Sequence, residues 1–418
     1  MSKAYVLGGA QTDFSRNFTK ENKSVIALLR EVIDDGLKAS GLTLTDIEQL
    51  NKNQRVVCTV SNFAGDLFFN QGHIGALLTK VSPAFYGVPS ARYEAACASG
   101  SVALDAGITK IKAEDCDVVL VIGFELMKTV SSKLAGDYLG RAAYYETEAQ
   151  EIDFPFPKLF GRLAEETVQK YSLDTETYYE ALAKIVTKNY ANAKKNRFAQ
   201  TRGWFMDLEQ ANQRGTAYNP FVGGGLANSD CSQITDGAAC VVLASEKFVR
   251  EKGLNVKKIP VVKGVGQTVA PLEFEKKLKD SKNNPYILPW THEAVRQAYQ
   301  QANVTVADID VFETHDCFSS SEYLAISAFE ITGPGEELMA VLSGRTAFEG
   351  DKPINPSGGL IGGGHPVGAS GVRMFLDIYK QVTNKCEAYQ IRGAQNGMML
   401  NLGGTATTNY AFIIGLET

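Results

Sequence analysis

Apolar residues recur at three- and four-residue spacing in the stretch that begins at Ser24, the mark of a helix with one buried face, and after a break the run to Leu50 continues with Thr43-Leu-Thr-Asp-Ile-Glu48. The same grammar returns from Thr291 to Phe312, with Thr305-Val-Ala-Asp-Ile-Asp310 in the corresponding place. After each Asp-Ile pair the pattern turns to short apolar or alternating runs, as in Arg55-Val-Val-Cys-Thr-Val60, which predict strands. Val118-Val-Leu-Val-Ile-Gly123 is nearly all apolar, as suits a central strand covered on both faces, and follows a helical stretch from Ser99. Residues 237–248 and 404–417 read as closing strands of two related halves. Helix-then-strand order, used twice, predicts an α/β fold with halves at 1–250 and 251–418. Between about 126 and 220 the chain becomes rich in Tyr, Lys and Gln, with long helical stretches. This segment reads as an insertion on the first half that covers a site.

With 44% hydrophobic residues in 418, the chain has material for a large core. A net charge of −5 gives no bulk electrostatic reason to expect nucleic acid or an anionic membrane as partner. No apolar run approaches the roughly 20 residues of a membrane helix. Seven cysteines without a secretory leader point to reduced thiols and a cytoplasmic location, and no spacing resembles a zinc site, so no metal is expected.

The chemistry gathers in four places. Cys97 lies in Tyr93-Glu-Ala-Ala-Cys-Ala-Ser-Gly100, just ahead of a helix whose free N–H groups would lower a thiol's pKa; taken alone, a buried structural cysteine is the competing reading. His365 sits in the glycine-rich run Ser357–Gly371, and His315 with Cys317 in Glu313-Thr-His-Asp-Cys-Phe318 at a strand end. The glycine run also reads as a phosphate cradle, although it lacks the lysine of a P-loop. Together these residues supply a nucleophile, a base and donors for oxyanions, the equipment of thioester Claisen chemistry. Lys188, Lys194 and Arg197 are candidates for meeting an anionic nucleotide, or form an ordinary solvated helix face.

The Cys-Ala-Ser-Gly motif, Ser229-Asp-Cys-Ser-Gln-Ile-Thr-Asp-Gly-Ala-Ala239, His-Asp-Cys-Phe and the Gly-His-Pro segment, in this order, resemble the thiolase family and its sterol-carrier-protein-2-type branch. The resemblance spans essentially the whole chain. It implies a five-layer αβαβα fold with an insertion loop domain, and an acyl-CoA C-acyltransferase of lipid metabolism that catalyses reversible condensation and thiolysis of 3-ketoacyl-CoA. It implies coenzyme A thioesters as substrates, no permanently bound cofactor, and a homodimer or homotetramer. By resemblance, Cys97 carries the acyl group and His365 activates it. His315 completes one oxyanion hole and Cys317 is the acid/base. For the second oxyanion hole, the backbone of Cys97 with Asn401 or Gly403 is expected, because the branch's Gly-x-Gly-Gly pattern reads Asn401-Leu-Gly-Gly404 here. Two alternatives stay open: an acyltransferase subunit working only with a condensing partner, and a non-catalytic acyl-CoA-binding protein. A decarboxylating ketoacyl synthase is the nearest rival chemistry.

Overall fold

A computed structural model describes residues 2–417. The first half contributes β1 (Ala4–Gln11), α1 (Val25–Ala39), β2 (Val56–Ser61), β3 (Ser90–Tyr93), α2 (Ser99–Lys112), β4 (Val118–Leu126) and β5 (Asp236–Ser245). Between β4 and β5 lie α3 (Pro155–Tyr171) and α4 (Thr175–Ala193) of the insertion. The second half contributes β6 (Val261–Val269), α5 (Pro289–Ala302), β7 (Val311–Thr314), α6 (Ser319–Ala328), α7 (Val367–Val382), β8 (Asn396–Gly403) and β9 (Thr408–Gly415).

The strands run in the order β3-β2-β4-β5-β1-β6-β9-β8-β7. The repeat seen in the sequence is a repeat of topology. β2 lies parallel to β4, with β5 and β1 following antiparallel, and β7, β8, β9 and β6 reproduce that arrangement. Among the described residues the two sets of strands pair at β1 and β6, through Tyr5 opposite Val261 and the Val6 N–H on Pro260 O. Helix α1 covers the outer face of the first set, α5 covers that of the second, and α2 with α7 fills the space between. The result is the five-layer αβαβα arrangement.

Local chemistry explains each boundary. Ser24 caps α1 by accepting the Ala27 N–H, and Leu28, Leu29, Val32, Ile33 and Leu37 form its buried stripe. Burying each such side chain contributes roughly 1.5–3 kcal/mol. The break in the amphipathic run falls at Gly41, which takes a positive φ of 68°, and Thr43 then opens a second helix with a capping box to Asp46. All nine residues of β4 are buried, as its apolar run requires.

Two closing segments are shorter as strands than the pattern indicates. Ser245 ends β5 and caps a helix at Glu246–Glu251. Residues 404–407 form a turn between β8 and β9, where Gly404 and Ala406 have positive φ. Among the described residues no helix is long and apolar enough to cross a membrane.

Candidate functional site

Chain segments leaving the ends of β3, β7 and β8 converge with the N-terminus of α7. The central helices α2 and α7 touch near their first turns. A β-carbon on Gly100 would stand 2.7 Å from the Val372 nitrogen, and one on Gly371 would stand 2.7 Å from the Ser101 nitrogen. Glycine at both positions lets the helices cross backbone to backbone, which brings Cys97, ahead of α2, to His365, ahead of α7.

Cys97 sits on a tight turn after β3. Ala96 adopts a left-handed φ of 52°, a conformation that costs a residue with a β-carbon about 1–3 kcal/mol. Glu94 holds it by accepting the Ala96 N–H at 2.5 Å, and Ser99 Oγ accepts the Ala95 N–H at 3.0 Å while donating to Ala96 O at 2.6 Å. The Cys97 sulfur and one ring nitrogen from each of His315 and His365 lie within 4.8 Å of one another. The two imidazoles meet edge to face, with centroids 5.0 Å apart.

His315 is fully buried, with Nδ1 3.0 Å from Asn401 Nδ2. His365 has Nδ1 2.7 Å from Ser370 Oγ, and its backbone N–H donates to Thr235 Oγ1. Neither Nε2 has a partner within the protein. Burial drives the His365 pKa down to about 3, helped by Arg373. Burial, then His365 and Arg373, push that of His315 well below 6.5. Both imidazoles are neutral at physiological pH.

The expected helix-lowered thiol pKa is not what the structure gives. Helix α2 starts at Ser99, and burial pushes the Cys97 thiol up to about 12. The N–H groups of Gly404 and of Cys97 itself, directed at the sulfur, offset this only in part, and Glu125 and Glu94 push it further up. Because the thiolate fraction well below the pKa grows tenfold per pH unit, alkylation of Cys97 by iodoacetamide is expected to climb steadily from about pH 7 to about pH 10. A plateau with a midpoint near neutrality would show a thiolate stabilised at rest.

Cys97, His365 and Cys317 open onto one cavity of about 460 Å³. Met127, Leu139, Phe156, Val222, Ile234, Phe318 and Val367 make most of its wall apolar; the insertion supplies Ser132 to Pro157, and the chain that follows it supplies Val222 to Ile234. Cys317 is buried, which raises its thiol well above 9, and its Sγ lies 4.0 Å from Ser321 Oγ of α6. A third thiol, Cys231, also lines the cavity, its backbone bridged to Phe318. The one signal for it in the sequence is its place inside the Ser229–Ala239 motif.

The structure corrects the second oxyanion donor. Strand β8 stays in register with β9 through Gly403, opposite Thr408. The chain leaves the sheet at Gly404, whose N–H faces Cys97. Lys188 is likewise corrected. Its Nζ turns inward to Glu322 Oε1 at 2.7 Å and Ile354 O at 2.6 Å, where no nucleotide could meet it. Lys194 lies on the surface over Phe205, and Arg197 stands 3.9 Å from Glu387. None of the three lines the cavity. The glycine-rich run cradles a carboxylate of the protein instead of a phosphate: Asp316 accepts the N–H groups of Leu360 and Ile361, and a β-carbon at Gly359 would collide with it.

Comparison with known proteins finds one family over most of the chain. Residues 4–207 match the family model described as thiolase, N-terminal domain, and residues 275–416 match thiolase C-terminal domain-like. The chain is 31% identical to an acetyl-CoA acetyltransferase of Methanothermobacter thermautotrophicus, over 98% of both chains. It is also 31% identical to human sterol carrier protein 2, over 76% of this chain and 57% of that longer protein. Among solved structures it resembles the Ltp2-ChsH2(DUF35) aldolase, with a TM-score of 0.75, 17% identity and coverage of 99% and 98% of the two chains.

Proposed function

The chain belongs to the thiolase family, and from that premise we propose that it is an acyl-CoA C-acyltransferase working through a Cys97 thioester. The observation that carries this reading is the meeting of one thiol and two imidazoles, with the thiol and His365 opening onto an apolar cavity of about 460 Å³. Cys97 Sγ attacks the thioester carbonyl while His365 Nε2 takes its proton, and the N–H groups of Cys97 and Gly404 receive the tetrahedral oxyanion. Coenzyme A leaves as a thiolate and takes the Cys317 proton. That exchange gives Cys317 the charge it lacks at rest. The Cys317 thiolate removes the α-proton of a second acyl-CoA, whose enolate is met by His315 and by His365, now protonated. The enolate attacks the Cys97 thioester, 3-ketoacyl-CoA is released, and the Cys97 thiolate recovers its proton from His365. Run backwards, the same steps are thiolysis.

Service in lipid metabolism, a cytoplasmic location and a homodimeric or homotetrameric state belong to the same proposal. The test is incubation with acetyl-CoA and with longer acyl-CoAs, followed by intact-mass measurement and peptide mapping. An acyl adduct on Cys97 is the expected result, and its absence at every chain length would sink the reading in favour of a non-catalytic acyl-CoA-binding protein. A second reading, a subunit that condenses only with a partner, draws on the likeness to a chain of a two-component aldolase. Condensation by the purified chain alone decides against it.

A further inference from the structure

Asn401 stands on β8 with its side chain fully buried between Cys97, Ser101 and His315. Its Nδ2 is 3.2 Å from Cys97 O and 3.0 Å from His315 Nδ1, and its Oδ1 is 2.7 Å from Ser101 Oγ. The orientation of the amide follows from its neighbours. A backbone carbonyl oxygen can only accept, so the amide atom facing Cys97 O must be the NH2; reversal would set two acceptors against each other. Ser101 then donates to Oδ1, which completes the set.

With one hydrogen on Cys97 O, the other points at His315 Nδ1, which must offer a lone pair. A neutral imidazole with a bare Nδ1 carries its hydrogen on Nε2. At His365 the logic runs the other way. Ser370 Oγ lies 2.7 Å from His365 Nδ1 and 3.0 Å from Pro366 O; with its hydrogen on Pro366 O it accepts from Nδ1–H and leaves Nε2 as the lone pair, the state that the base role proposed above requires.

We infer that Asn401 is a positioning residue that locks His315 as an Nε2–H donor, so that two chemically identical side chains at one sulfur serve opposite roles, His365 as base and His315 as hydrogen-bond donor. The use of that donor, holding a substrate oxyanion, rests on the acyltransferase reading above. The tautomer itself does not.

The chain has only four histidines, so long-range 1H–15N spectra of the full-length, histidine-labelled protein can assign each ring, with His315→Gln and His365→Gln identifying the two signals. Wild-type His315 is expected to be protonated at Nε2 and His365 at Nδ1. Asn401→Asp replaces the donor by an acceptor of nearly the same shape and is expected to move the His315 hydrogen to Nδ1. Losing one oxyanion donor should lower kcat about 100- to 1,000-fold with KM little changed. His315 protonated at Nδ1 in the wild type, or an unchanged tautomer in Asn401→Asp, would overturn the lock. If Asn401→Asp does not fold, the wild-type spectrum decides alone. An Nε2–H signal in a protein that turns over no acyl-CoA would uphold the lock while removing the acyltransferase reading.

Discussion

Replacing Cys97 by serine is expected to abolish acyl-enzyme formation and lower acyl transfer by at least about 1,000-fold, while the protein stays folded. Serine keeps the shape of the side chain, so loss of packing cannot account for such an effect. What changes is the nucleophile. A hydroxyl is far less acidic than a thiol, and this site gives little help, because burial already pushes the thiol up to about 12. The only base within reach is neutral His365, itself held down to about 3, so proton transfer has to accompany attack instead of preceding it. That is feasible for sulfur, which attacks well once its proton is partly transferred, and poor for oxygen. Cys97→Ala should match the serine variant in activity, with a modest change in stability because the side chain is only half-buried. Thioester formation by mass and thiolysis of a 3-ketoacyl-CoA are the two readouts. A serine variant with near wild-type turnover would assign Cys97 to structure and move the nucleophile elsewhere in the cavity.

The residues that the fold brings together around Cys97 were legible in the sequence because each carried a local signal: small residues around Cys97, glycines around His365, a strand end before His315 and Cys317. The twofold fold was legible because the Asp-Ile grammar recurs. Properties set by three-dimensional register were not. Whether Asn401, Gly403 or Gly404 presents its N–H depends on where β8 leaves the sheet, and the last strand residue, Gly403, is a single position from Gly404. Lys188 shares a helix with cationic neighbours, and only the packing of α4 on α6 reveals that it pairs with buried Glu322. The thiol pKa was misjudged for a related reason. A helix start is visible in a sequence, but the depth at which it is buried is not, and burial outweighs the dipole at Cys97.

Cys317→Ala is expected to separate the two halves of the reaction. Acylation of Cys97 needs no second thiol to attack, so the variant should still form the thioester adduct. Condensation, and exchange of the α-hydrogens of acetyl-CoA with deuterated solvent, should fall about 100- to 10,000-fold, the range for loss of a positioned acid/base. The sign follows from burial. Cys317 lies well above the usual thiol range, hence holds its proton at rest and becomes a base only after surrendering it to the departing coenzyme A. Cys231 lines the same cavity and is also driven well above the usual range by burial, so Cys231→Ala is the required control and should leave exchange near wild type. Exchange lost in Cys231→Ala but kept in Cys317→Ala would transfer the acid/base role to Cys231. Full condensation by Cys317→Ala with a malonyl thioester would instead identify a decarboxylating enzyme, in which loss of carbon dioxide generates the carbanion and no thiol is needed to remove a proton.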